Sequence, residues 1–271
     1  MALAPSAAGL EAAAGAGWKP ALHYDSLMKI AFSSDANAHR ITLSDPPLNI
    51  LDIPMLDELR NALGRVRADR HALIIDAAGT RAFSAGVAVQ DHIGDRAAVM
   101  LSIFHDCFRT LARLDLVTVA LVRGLALGGG CELAMACDFI LAGDTAKFGQ
   151  PEIALGVFPP VGAYQLSRQL PPRRGLEMML TGEPVDASVL ANAVFPDDEF
   201  ETRAEEWLGR IYRHSASSLR IAKKAFRLAR ANDFDERLTD VERVYLDELM
   251  RTEDATEGLN AFLEKRKPRW R

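Results

Sequence analysis

Cysteine is scarce in this 271-residue chain, with only Cys107, Cys131 and Cys137 present. The number is odd and no Cys-x-x-Cys spacing occurs, which excludes a disulfide framework and argues for reduced thiols. Cys131 falls at a predicted helix start, yet no histidine lies near it in sequence, so it reads as a small buried residue. Histidine is also sparse, six in all. His92 and His105 stand alone, without His-x-x-x-His or similar ligand spacing, and no metal site is expected. No window approaches the roughly 20 apolar residues that a membrane-spanning helix needs. The first residues lack the basic region of a secretion signal and the arginines of a transit peptide, so a cytoplasmic location is the expectation. Basic excess is missing too: the formal net charge is −5, which argues against a dedicated nucleic-acid surface.

What the chain has is a large apolar share, 49%, enough for a sizeable core. Residues 1–20 are rich in Ala and Gly and read as a flexible leader. Alternation in Leu27–Phe32 and His39–Leu43 predicts two strands joined by the polar turn Ser33–Asn37. After the loop Asp45–Asp52, Pro54 starts a helix with Met55, Leu56, Leu59 and Leu63 on one face. His71–Ala78 is a nearly continuous apolar run, predicted to be a strand buried on both sides. Ala82–Val89 reads as a small-residue loop before a helix that begins near Asp95, whose inward face is Met100, Leu101, Phe104, Phe108 and Leu111. Strands at Thr118 and Phe139–Ala142 complete an alternating α/β core. From Val161 the pattern is essentially helical, including Ala187–Ala193, Glu201–His214 and Ser218–Ala231. The division expected is a leader at 1–20, an α/β core at 21–195 and a helical region at 196–271. In the last of these, Leu238, Val241, Val244, Tyr245 and Leu249 form an apolar stripe. It fits a subunit contact or burial within the same chain equally well.

The chemistry concentrates in Leu121–Asp138 and Phe148–Glu152. An apolar run breaks at Gly124, reaches Gly128-Gly-Gly130 and continues with helical period, which predicts strand, loop and helix. Successive glycines at a helix start let backbone N–H groups approach a ligand, and the unpaired first-turn donors favour negative charge. Glu132 stands in that first turn, and Glu152 follows after Pro151. Each feature alone has an ordinary structural use as a turn, a favourable first-turn acid or a helix start. Together they point to proton transfer beside a carbonyl whose oxygen becomes anionic.

Ala126-Leu-Gly-Gly-Gly-Cys-Glu-Leu-Ala-Met135 and Phe148-Gly-Gln-Pro-Glu-Ile153 resemble the two signature segments of the crotonase superfamily, in particular the enoyl-CoA hydratases. The likeness spans roughly residues 24–270. It implies a crotonase-like spiral of ββα units with a C-terminal helical layer, assembled as a homotrimer or a dimer of trimers. It also implies an acyl-CoA substrate and no metal or redox cofactor, coenzyme A being part of the substrate. By the same resemblance Glu132 and Glu152 are the catalytic pair, and the N–H groups of Val87 and Gly129 form the oxyanion hole. Asn49, Ala85, Val89, Gly128, Phe158 and Lys265 would contact CoA or the acyl group. The usual Gly-Ala-Asp is Gly86-Val-Ala88 here, which leaves a backbone donor intact but departs from the generic short-chain pattern. Asn49–Asp52, Lys147–Ile153 with Leu155–Phe158, Ser217–Arg220 and Val241–Met250 through Arg266 look most like the hydratases of cyclohexa-1,5-diene-1-carbonyl-CoA. The alternatives within the fold are an isomerase, a dehydratase acting on a branched or polyketide-type thioester, and a non-catalytic CoA- or RNA-binding member.

Overall fold

The computed structural model describes residues 28–92 and 95–229, with 248, 251–254, 257, 264, 266, 267, 269 and 271 beyond them. The leader, Lys265 and the apolar stripe from Leu238 to Leu249 lie outside the described residues.

Strands β1 (Ile30–Ser34) and β2 (Ala38–Leu43) form the predicted hairpin, antiparallel with Ile30 opposite Leu43. Helix α1 (Ile53–Arg65) starts where Asp52 accepts the Met55 N–H at 3.0 Å, with Pro54 in its first turn. Its predicted face, Met55, Leu56, Leu59 and Leu63, is buried together with Ala62.

The chain then repeats one move. Strand β3 (Ala72–Ala77) is followed by the short β4 (Ala82–Ser84), β5 (Val117–Val122) by β6 (Leu125–Leu127), and β7 (Phe139–Gly143) by β8 (Lys147–Gly149). The first of each pair enters a six-stranded sheet of order β1-β2-β3-β5-β7-β10, where β10 is Ala193–Phe195. The second enters a four-stranded sheet of order β4-β6-β8-β9, with β9 at Val185–Asp186. Each turn of the spiral therefore adds one strand to each sheet and closes with a helix: α2 (Asp95–Arg113), α3 (Gly129–Met135) or α4 (Pro160–Gln169). The expected spiral of ββα units is present. Parallel pairing runs through β2, β3, β5, β7 and β10, which demands crossovers, and the helices supply them.

One core lies between the sheets and α1, α2 and α3, with Phe83, Phe104, Leu133 and Phe148 among its members. A second, on the outer face of the large sheet, packs Ile74, Val119 and Leu141 against Ala204 and Leu208 of α6 (Phe200–Tyr212). Helices α5 (Pro172–Thr181) and α7 (Ala216–Ala229) continue the helical layer. The sequence reading of Ala187–Ala193 as a helix is corrected: only Ala187–Val189 makes a 3-10 turn, and the strands around it, β9 and β10, pair with β8 and β7. Sheet pairing overrides the helical propensity of this Ala-containing stretch. No helix among the described residues is long and apolar enough to cross a membrane.

Candidate active site

Three parallel strands of the small sheet, β4, β6 and β8, end at one edge, and the segments that leave them are Ala85-Gly86-Val87, Gly128-Gly129 and Gln150-Pro151-Glu152. Ligands of α/β sheets characteristically bind beyond the carboxyl ends of parallel strands. The sequence candidates for catalysis all leave this edge.

Close approach explains the glycines. A Cβ on Gly128, whose φ is +51°, would lie 2.7 Å from Oε1 of Glu152 and 3.8 Å from the Gly86 Cα. A Cβ on Gly86 would lie 3.0 Å from the Leu127 carbonyl oxygen and 3.7 Å from the Gly129 nitrogen. The two backbone segments and the Glu152 carboxyl thus share a space that side chains would fill.

Val87 is aimed by its pairing with Leu51. Leu51 N–H donates to Gly86 O at 3.0 Å and Ala88 N–H donates to Leu51 O at 3.3 Å, as an isolated parallel bridge. Because N–H groups alternate along an extended segment, that bond directs the Val87 N–H away from Leu51. Asn49 holds the partner loop in place. Its φ is +48°, its side chain is fully buried, Oδ1 accepts the Asp45 N–H at 2.9 Å, and Nδ2 donates to Ala78 O at 3.1 Å and Ala82 O at 2.9 Å. Its amide is therefore used on backbone groups and braces the loop expected to line the CoA channel. Ala85 is half-buried and tied to that loop by its N–H on Leu48 O at 2.9 Å.

Glu132 is 3% exposed. Its Oε1 accepts the Gly162 N–H at 2.5 Å, and its carbonyl accepts Nε2 of Gln165 at 3.1 Å. Burial pushes the carboxyl up to about 8, against the pull of the Gly162 N–H and with a further push from Glu152. Glu152 is half-buried and is also raised by burial, while its own backbone N–H and the nearby His92 oppose the rise. Gly162 and Gln165, both on α4, escaped the sequence reading. The available signal was Pro159-Pro160-Val161-Gly162, a helix start whose first-turn N–H groups need acceptors.

Val89 and Phe158 are exposed at 54% and 64%, and Leu155 at 58%, so the segments after Val87 and Glu152 present apolar surface. Near the C-terminus Arg266 and Arg271 are engaged internally. Arg266 binds both oxygens of Glu257 at 2.6 and 2.8 Å, and Arg271 pairs with Glu253. Among the described residues, no group of three or more His, Cys, Asp or Glu is arranged to hold a metal ion.

The family model for enoyl-CoA hydratase/isomerase matches residues 34–271. The chain belongs to this family. Among enoyl-CoA hydratase/isomerase relatives, it is 38% identical to a cyclohexa-1,5-dienecarbonyl-CoA hydratase of Thauera aromatica, over 90% of this chain and 96% of that protein. It is 33% identical to a crotonyl-CoA hydratase of Syntrophomonas wolfei, over 81% and 88%. The crystal structure of an enoyl-CoA hydratase from Bacillus anthracis superposes with a TM-score of 0.84 at 28% identity, covering 90% of this chain and 99% of that one.

Proposed function

We propose that this enzyme adds water reversibly to a cyclic conjugated dienoyl-CoA, with Glu132 and Glu152 as its acid/base pair and the N–H groups of Val87 and Gly129 as its oxyanion hole. The observation that carries the reading is the meeting of two carboxyl groups, both raised by burial, with two glycine-cleared backbone segments at one sheet edge. Carboxyls raised by burial are better matched to giving and taking protons than free ones.

In the forward direction one carboxylate takes a proton from water as its oxygen bonds to the β-carbon. The C=C electron pair shifts towards the α-carbon and the thioester oxygen, where the two N–H groups hold the developing enolate. Each such donor typically contributes about 3 kcal/mol to the transition state. The other carboxyl then delivers a proton to the α-carbon, each transfer contributing on the order of 10²–10⁴-fold. The apolar surface of Val89, Leu155 and Phe158 supports an apolar acyl group, and the likeness to the Thauera aromatica enzyme supports a ring.

The test is to incubate the protein with cyclohexa-1,5-diene-1-carbonyl-CoA and, separately, crotonyl-CoA, and to follow water addition by mass. Preferential gain of one water on the diene is expected. Turnover of crotonyl-CoA alone would discard the ring and keep the mechanism, and a shifted double bond without water would replace hydration by isomerisation.

A further inference from the structure

Gln150 follows β8 directly, at the start of the 3-10 turn Pro151–Leu155, and is completely buried although it carries a long polar side chain. A buried amide must find partners. With Nε2 turned to the acceptors it faces, it lies 3.3 Å from both Oε1 and Oε2 of Glu152. The other end of the same amide is 3.0 Å from the point where a Cβ on Gly162 would sit, a point that is also 2.9 Å from Pro159. Gly162 in turn donates its N–H to Glu132. The Gln150 side chain therefore fills the gap between the two glutamates, touching one directly and abutting the peptide that grips the other.

The contact is chemically one-sided. An amide NH₂ donates and cannot accept, so it complements a carboxylate better than a carboxylic acid. Glu132 lacks this donor and relies on the backbone N–H groups of Gly162 and Val161. Two carboxyls of equal chemistry are thereby made unequal by a neighbour that reacts with neither.

We propose that Gln150 is a positioning residue for the hydration, which orients Glu152 through both carboxylate oxygens and makes it the ionised member of the pair. This rests on the hydratase reading above. Two other titratable groups face the pair: Cys131 on α3, buried beside both glutamates, and His92 at the end of the 3-10 turn Val89–His92, which acts on Glu152. Both are left in place by the test.

The experiment compares wild type with Gln150→Met, which keeps length and removes the donor, and Gln150→Glu, which keeps shape and replaces the donor with an acid. Two readouts are taken between pH 5 and 9: kcat and KM for whichever of the two acyl-CoA esters above the wild type hydrates, and the titration of Glu152 followed by ¹³C-carboxyl NMR of glutamate-labelled protein. In Gln150→Met, kcat should fall at least tenfold with KM within threefold. The Glu152 titration and the acid limb of kcat should both move to higher pH. Gln150→Glu should not restore the rate, and it carries the test if the methionine variant does not fold. A Glu152 titration unchanged from wild type, or a loss confined to KM, overturns the proposal. If the wild-type protein hydrates no acyl-CoA while the Glu152 titration still moves in the variants, the reaction assignment fails and the Gln150–Glu152 coupling stands.

Discussion

The backbone N–H of Gly162 reaches Oε1 of Glu132 across 2.5 Å and 30 residues of sequence. It is a first-turn donor of α4, one of those a helix cannot satisfy internally, and it meets a carboxyl that has almost no access to water. That donor favours the charged form, but burial outweighs it and the group keeps its proton to about 8.

That proton gives stability a particular pH dependence. The folded pKa of Glu132 lies above its ordinary value of 4.5, so the native state binds a proton that the unfolded chain releases between about 4.5 and about 8. The contribution is complete below that window and is lost as pH rises through it. Glu132→Gln should abolish this component, so its melting temperature should decline less than that of wild type from pH 5 to pH 8. The same variant should lose on the order of 10²–10⁴-fold in hydration rate. Parallel melting curves for the two proteins would count against a neutral buried Glu132.

Gly128→Ala places a methyl group 2.7 Å from Oε1 of Glu152 at a backbone angle unfavourable to alanine. We expect a loss of about 1–2 kcal/mol in urea denaturation from the backbone strain. A fall in kcat larger than the rise in KM should accompany it, because the displaced group is the one proposed to react. Wild-type kcat in a folded variant would place Glu152 outside the reaction.

Asn49→Ala removes three hydrogen bonds to backbone groups and puts alanine at φ +48°. A destabilisation of about 3 kcal/mol is expected at roughly 1 kcal/mol per bond. Below the unfolding range KM for acyl-CoA should stay within twofold. A large KM effect without loss of stability would show that Asn49 itself contacts the substrate.

The thiols should be silent. Cys107, Cys131 and Cys137 are all buried, and burial pushes Cys107 up to about 12 and raises the other two as well. The native protein should release no chromophore from an aromatic disulfide reagent at pH 8, and the unfolded protein should react at all three sites.

The long elements were legible because their periodicity is a local property. The α1 face and the β3 run follow directly from where Met55–Leu63 and Ala72–Ala77 place their apolar groups. The small sheet was not legible. Strands β6, β8 and β9 hold three, three and two residues, too few for alternation to show, and they exist through pairing with segments 20 to 40 positions away. The same distinction divides the site. Glu132 and Glu152 could be picked out because glycine and proline mark their turns, whereas the Gly162 grip and the bracing role of Asn49 depend on contacts with residues about 30 positions distant.

The bridge between Leu51 and Val87 separates two duties that often fall on one residue. Aim is set by the main chain of Gly86 and Ala88, so the side chain at 87 is free of it. Valine can stand there, and Ala88 where an aspartate is usual, with the same donor pointing the same way. On the proposed reading, substitutions at 87 and 89 reshape the mouth for a new acyl group while the main-chain donor keeps its aim, which makes this short loop the natural place to look for, or to engineer, a change of substrate.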